Sequence, residues 1–188
     1  MSYRIEPLEK HSATIFTDYL GKLDFGHAPE WSTCYCRFYH TDCDMNTWMT
    51  RSGETNKNEA IDAIGQGEMK GFLAFDGDKC IGWLNANDAQ SMIRLKNEMA
   101  PIIKDKKVGC TICYVIHPEY RSKGVARLLL KEAIEHFKEN GYDAILALPV
   151  TGGDAQKHYR GSLNMYLENG FKEVDTFDAL HIMWLDLK

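Results

Sequence analysis

Apolar residues near the start of the chain recur at Ala13, Phe16, Tyr19, Leu20 and Leu23, the spacing of one helix face, after a short strand-like run from Tyr3 to Glu6. Regular spacing then lapses from Asp24 to Met49. It returns at Asn56 to Gln66, a helix that Gly67 is placed to close. Gly71 to Phe75 and Lys79 to Leu84 read as strands flanking Asp76-Gly77-Asp78, which predicts an antiparallel hairpin. A helix is expected from Ala89 to Glu98, halted near Pro101. A β-branched and aromatic strand follows from Cys110 to Ile116, ended at His117-Pro118 because proline has no N–H to continue a ladder.

The strongest helical pattern runs from Gly124 to Asn140. Ala126, Leu129, Leu130, Ala133 and Phe137 share one face, and Gly141 supplies a left-handed stop. Beyond it, Ala144 to Val150 reads as a buried strand, Leu163 to Asn169 as a helix ending at Gly170, and Phe171 to Val174 and Leu180 to Leu187 as two last strands. Strands and helices mixed in this order predict an α/β or α+β architecture on one central sheet. With 188 residues and no linker-like stretch, the chain is expected to form a single domain, residues 1–188.

Composition removes several classes of function. With 44% hydrophobic and 26% charged residues the chain is globular, neither disordered nor fibrous. It lacks an apolar run of about eighteen residues, so no spanning helix and no membrane partner are expected. A net charge of −5 argues against nucleic acid as a partner and suits a cationic acceptor such as an amine. Arg4, Glu6, Glu9, Lys10, His11 and Asp18 break up the first twenty residues, so no secretion signal is read there. A cytoplasmic location is expected, with the six cysteines as reduced thiols.

The candidate chemistry lies where strand meets the best helix, at His117-Pro118-Glu119-Tyr120 followed by Arg121-Ser122-Lys123-Gly124-Val125-Ala126. The first N–H groups of a helix have no partner within it and sit at the positive end of its dipole, so such a junction binds anions through main chain. Gly124 permits close approach of a phosphate, small Ala126 lets the helix sit against it, and Arg121 and Lys123 add charge. Neither GxxxxGK[ST] nor GxGxxG is present.

This segment resembles motif A of the GNAT superfamily of acyl-CoA-dependent acyltransferases, whose [QR]-x-x-G-x-[GA] is met by Arg121, Gly124 and Ala126. Downstream, Met165-Tyr166-Leu167-Glu168-Asn169-Gly170-Phe171 resembles motif B of the same family. The likeness covers roughly residues 70 to 187. It implies a mixed, mostly antiparallel sheet of about seven strands, splayed between the fourth and fifth, with helices on both faces. It implies acetyl-CoA as co-substrate, its pantetheine arm paired with the main chain of Val115 and Ile116 and its pyrophosphate over Arg121 to Ala126, that is Arg121, Ser122, Lys123, Gly124, Val125 and Ala126. The reaction implied is direct attack of a neutral amine on the thioester, with Tyr166 protonating the departing thiolate. Tyr166 also reads as one more core aromatic on a helix. The chain departs from the family at Tyr159, where many relatives carry asparagine, and at Ser122, where glycine is frequent. Where some relatives place a strand glutamate as base, this chain has Ile112 or a neighbour of it; His117, His158, Glu68 and a water chain remain the options.

Residues 24–55 form an aromatic and cysteine-rich insert where this family builds its acceptor pocket. Trp31 and Tyr35 are candidate acceptor contacts there, with Asn85 and Asn87 placed just past a strand to orient a small-molecule amine. These residues read equally well as core and as turn chemistry. Cys34, Cys36, His40 and Cys43 are a ligand set for zinc, but the Cys-x-Cys spacing is too close for the usual site and no metal is expected. The leading function is thus a small-molecule N-acetyltransferase. The alternatives are a non-catalytic acyl-CoA-binding module or sensor and a zinc or thiol redox protein. Symmetric pairing is the default among oligomers, so a homodimer is the expectation.

Overall fold

The computed structural model describes residues 3–154 and 158–188. Seven strands form one sheet in the order β1-β2-β3-β4-β5-β7-β6. They are β1 (Arg4–Pro7), β2 (Gly71–Asp76), β3 (Lys79–Asp88), β4 (Val108–Ile116), β5 (Ala144–Ala147), β6 (Lys172–Phe177) and β7 (Leu180–Asp186). All neighbours are antiparallel except β4 and β5, which pair in parallel from Val108 opposite Ala144 to Thr111 opposite Ala147. β4 continues five residues past that pairing while β5 stops, so the sheet parts into a gap beside Ile112 to Ile116. This mixed sheet with one open seam is the architecture the resemblance implies.

Two apolar cores flank the sheet. One packs α1 (Ala13–Lys22), α3 (Gly53–Gly65) and the insert against Leu73, Trp83 and Ile112. The other packs α5 (Val125–Glu139) and α6 (Leu163–Glu168) against Phe72, Ala74, Ile81 and Tyr114. α5 buries Val125, Leu129, Leu130, Ala133 and Phe137, and Gly141 at φ 72° ends it. Gly109 on β4 accepts the Phe137 ring, since a Cβ there would lie 2.7 Å from it. No helix among the described residues is long and apolar enough to cross a membrane.

Several expected boundaries move for physical reasons. α4 spans Ile93–Ile103 and carries Pro101 inside it rather than halting before it. Buried Met99 and Ile103 dock its last turn, and the carbonyl that loses a partner to the proline lies four residues back, at exposed Asn97. Residues 89–91 form a separate short 3-10 turn capped by the Asp88 carboxylate. β5 stops at Ala147, two residues before Pro149; Val150 makes one isolated bridge to Leu180. α3 starts at Gly53 because Ser52 caps it by accepting from Thr55 N–H. β3 runs on to Asp88, so Asn85 and Asn87 lie within the strand, not past it. The insert holds 3-10 turns and one short helix, α2 (Met45–Thr50), capped by Asp44.

Candidate active site

At the end of β4 the chain turns through Pro118–Tyr120, with His117 Nδ1 accepting from the Glu119 N–H. Ser122 (φ 59°) and Gly124 (φ 83°) both take left-handed geometry, which curls successive amides into a concave turn. Ser122 thus adopts the conformation that explains the frequency of glycine at its position. The first helical bond of α5 runs from Leu128 N–H to the Gly124 carbonyl, and no side chain caps the helix. The amides of Val125 and Ala126 are therefore left for an external acceptor. No acidic residue lies in this first turn, and Arg121 and Lys123 precede it. This donor set fits a pyrophosphate.

The gap between β4 and β5 gathers the strand edge and the tyrosine singled out in the sequence. His117 N–H donates to the Ile81 carbonyl on β3, so by strand alternation Val115 also turns its main chain toward β3. Tyr114 and Ile116 face the gap. Of the two main-chain positions expected to hold the pantetheine arm, Ile116 opens onto the seam; Val115 does not, and its carbonyl accepts from the Tyr19 hydroxyl at 2.9 Å. A bulge sets this phase. Between the pairs Leu84–Tyr114 and Ala86–Thr111, Asn85 alone opposes Ile112 and Cys113.

Tyr166 is fully buried at the base of the gap. Its hydroxyl donates to the Arg160 carbonyl at 2.8 Å and lies 3.3 Å from the Thr111 hydroxyl and 3.5 Å from that of Tyr114. Burial pushes its pKa well above the ordinary tyrosine value. The Tyr114 N–H donates at 2.7 Å to the Tyr159 carbonyl. Residues 159 and 160 therefore occupy both donors with consecutive carbonyls. Gly161 (φ 84°) makes this approach feasible, since a Cβ there would stand 3.0 Å from the Tyr166 hydroxyl. Sequence patterns did not reveal this segment; its one signal was a glycine just before the Ser162 cap of α6.

The insert closes a cavity of about 330 Å³ over β4. Trp31 and Tyr35 line it, as do Tyr39, Trp48, Cys113 and Tyr159. Asn85 and Asn87 do not. The Asn85 amide nitrogen is 2.9 Å from His40 Nε2, and Asn87 donates to the Glu68 carbonyl at 2.6 Å. Tyr39 and Tyr159 place their hydroxyls 2.9 Å apart, and Arg160 donates to both, at 2.9 and 3.3 Å. No carboxylate forms an ion pair with Arg160 among the described residues. None of the candidate bases lines the cavity. His117 caps its turn, His158 bonds the Gly152 carbonyl at 2.6 Å, Glu68 is exposed, and Ile112 is core.

The cysteines and histidine of the insert diverge. Cys36 Sγ accepts from Trp83 Nε1 at 3.1 Å, and Cys43 Sγ from Arg94 at 3.4 Å, while His40 turns to Asn85. Among the described residues no three His, Cys, Asp or Glu side chains converge on a metal position. Burial, with Arg37 nearby, lowers the His40 pKa to about 4. The unfolded imidazole binds a proton near pH 6.5 while the folded one stays neutral, so stability is full above that pH and falls as pH drops toward 4. The loss is on the order of 3 kcal/mol. Thermal unfolding from pH 7 to pH 4.5 should show a shallower decline in His40→Gln than in the parent chain; equal slopes would remove His40 as the cause.

The pieces now form a sequence in space: an uncapped helix N-terminus, a strand edge whose Ile116 carbonyl accepts from Arg121 Nε at 3.4 Å, a buried phenol and an aromatic cavity. No curated protein matches the chain. It is similar in fold to solved acetyltransferases at low identity. One is an acetyltransferase of the GNAT family from Streptococcus pneumoniae, at 18% identity over all of both chains with a TM-score of 0.57. Another is the PaiA N-acetyltransferase from Thermoplasma acidophilum in complex with coenzyme A, at 19% identity over 99% of each chain and a TM-score of 0.56. A third is a polyamine N-acetyltransferase from Drosophila melanogaster, at 9% identity over 98% of this chain and 100% of that one, with a TM-score of 0.60. The model of the acetyltransferase (GNAT) family matches residues 30–171, a span holding the seam, the helix turn and most of the cavity lining, so this chain belongs to that family.

Proposed function

We propose that the chain acetylates the primary amine of a small molecule by direct transfer, with Tyr166 as general acid. The observation that carries the reading is the convergence of the Tyr166 hydroxyl and the Tyr114 N–H on adjacent carbonyls of one short segment in the seam. On this reading the two donors exchange those carbonyl oxygens for a thioester oxygen and a thiolate. Acetyl-CoA supplies an activated acyl group and a sulfur leaving group. The Val125 and Ala126 amides, with Arg121 and Lys123, hold its pyrophosphate, and the Ile116 N–H offers a donor along the edge, its carbonyl being held by Arg121. Tyr114 N–H polarises the carbonyl and Tyr166 delivers its proton to sulfur, while the acylated nitrogen gives up a proton to solvent, from which the phenol is restored. The aromatic cavity admits the amine from the other face of β4.

Thermal unfolding with acetyl-CoA, against NADH and ATP as nucleotide controls, tests the cofactor site. At a hundred times the dissociation constant the ligand stabilises the native state by about 2.7 kcal/mol. A shift with acetyl-CoA alone, followed by amine-dependent release of the CoA thiol, is the expected result. A shift without turnover of any amine would favour the binding-module alternative, and no shift would remove the reading.

A further inference from the structure

The cavity beneath the insert has a composition that narrows the acceptor. Its walls are aromatic and apolar: Trp31, Tyr35, Phe38 and Trp48 from the insert, with Cys113 and Val115 beneath. Four other lining residues carry polar side chains outside the phenols and thiols: Glu30, Thr33, Arg51 and Asn56. Arg51 and Asn56 are committed to the scaffold. Arg51 donates to Asn56 Oδ1 at 2.8 Å and pairs with Glu59, and Asn56 donates to the Thr33 carbonyl at 2.9 Å. Glu30 is the one carboxylate on the lining among the described residues, and it is exposed.

A polyamine needs several carboxylates spaced along its path, and a polyhydroxylated amine needs many hydrogen-bond partners, because each desolvated polar group left unpaired costs free energy. Among the described residues this lining offers a single carboxylate, and two of its three phenols, Tyr39 and Tyr159, are already bonded to each other and to Arg160. A dry apolar cavity of roughly 150 Å³ accepts a benzene ring. One of about 330 Å³ has room for a ring and a short aminoalkyl chain. The same walls bear on the missing base, since an apolar enclosure disfavours an ammonium and shifts an entering amine toward its neutral, nucleophilic form. Aromatic faces still attract the cation at entry.

Resting on the acetyltransferase reading, we infer that the acceptor is an arylalkyl monoamine, a single primary amine on a short chain bearing an aromatic ring. The full chain, with saturating acetyl-CoA, is given phenethylamine, tryptamine, ethylamine, spermidine and an aminoglycoside at matched concentrations, and acetylated product is read by mass. The two arylalkylamines are expected to exceed ethylamine, spermidine and the aminoglycoside in kcat/KM by at least a hundredfold. Spermidine or the aminoglycoside as the best acceptor, or ethylamine equal to phenethylamine, overturns the inference.

Ligand-observed NMR of phenethylamine with the chain alone separates this inference from the reading beneath it. Saturable binding that weakens about tenfold in Trp31→Ala and recovers in Trp31→Phe supports the cavity assignment, whatever the cofactor result. Absence of binding, with an acetyl-CoA thermal shift intact, removes the acceptor class and leaves the acetyltransferase standing. In turnover, Trp31→Ala should raise KM for the amine with little change in KM for acetyl-CoA. A rise in both would make Trp31 a structural residue and count against the proposal.

Discussion

Gly124→Glu is expected to unfold at the same temperature with and without acetyl-CoA, while the parent chain gains several degrees. Two effects act together at this residue. Its φ of 83° is a left-handed geometry that costs an ordinary side chain roughly 1–2 kcal/mol. Space is not the obstacle, because nothing lies within 4 Å of a Cβ built there. That same open space is where a diphosphate must come close to the amides of α5, and a carboxylate placed in it brings like charge and bulk. Affinity should fall at least a hundredfold. Gly124→Ala carries the backbone strain without the charge, so its loss should be several-fold. If the glutamate chain still responds to acetyl-CoA like the parent, the pyrophosphate does not sit at this turn.

Tyr166→Phe is expected to lower kcat by about a hundred- to a thousandfold, within the usual range for loss of a general acid, with KM for acetyl-CoA nearly unchanged. The fold should survive. The lost hydroxyl leaves the Arg160 carbonyl without its donor, at a cost of about 1–3 kcal/mol, so a melting curve must accompany the kinetics. The pH profile gives an independent readout. Because burial raises the Tyr166 pKa, the phenol stays protonated throughout the neutral range, and any fall in rate from its ionisation comes above the ordinary tyrosine value near 10. That alkaline fall should vanish in Tyr166→Phe. An unchanged kcat would reduce Tyr166 to a core aromatic against Phe171, whose ring centroid is 5.1 Å away.

Local signals carried much of the architecture. α5 announced itself through five apolar positions on one face and a terminal glycine, and the β2–β3 hairpin through Asp76-Gly77-Asp78, because each is set by residues close in sequence. The N-terminal turn of α5 was legible for the same reason. What stayed hidden depends on contacts between distant segments. Every residue from Ile112 to Ile116 is apolar or aromatic, so no alternation showed the bulge opposite Asn85 that points Tyr114, not Val115, into the seam. Tyr159 looked like a lost asparagine, whereas its carbonyl fills the Tyr114 amide and its phenol joins Tyr39 and Arg160. Asn85 and Asn87 looked like turn residues because the strand that contains them runs four residues past its last obvious apolar position. Pro101 looked like a stop because the docking of Ile103 beyond it is a tertiary contact.

The thiols around the aromatic cavity bear on how the enzyme avoids damaging itself. A thioester brought beside a thiolate exchanges its acyl group readily, and Cys34, Cys36 and Cys113 all line the cavity proposed for the acceptor. Burial pushes the Cys34 thiol up to about 12, and contact with Cys113 together with burial holds Cys36 well above its ordinary value. At pH 7 a thiol with that acidity is ionised in about one molecule in 10⁵. The burial that lines this cavity thus keeps Cys34 and Cys36 as thiols, poor partners for acyl exchange.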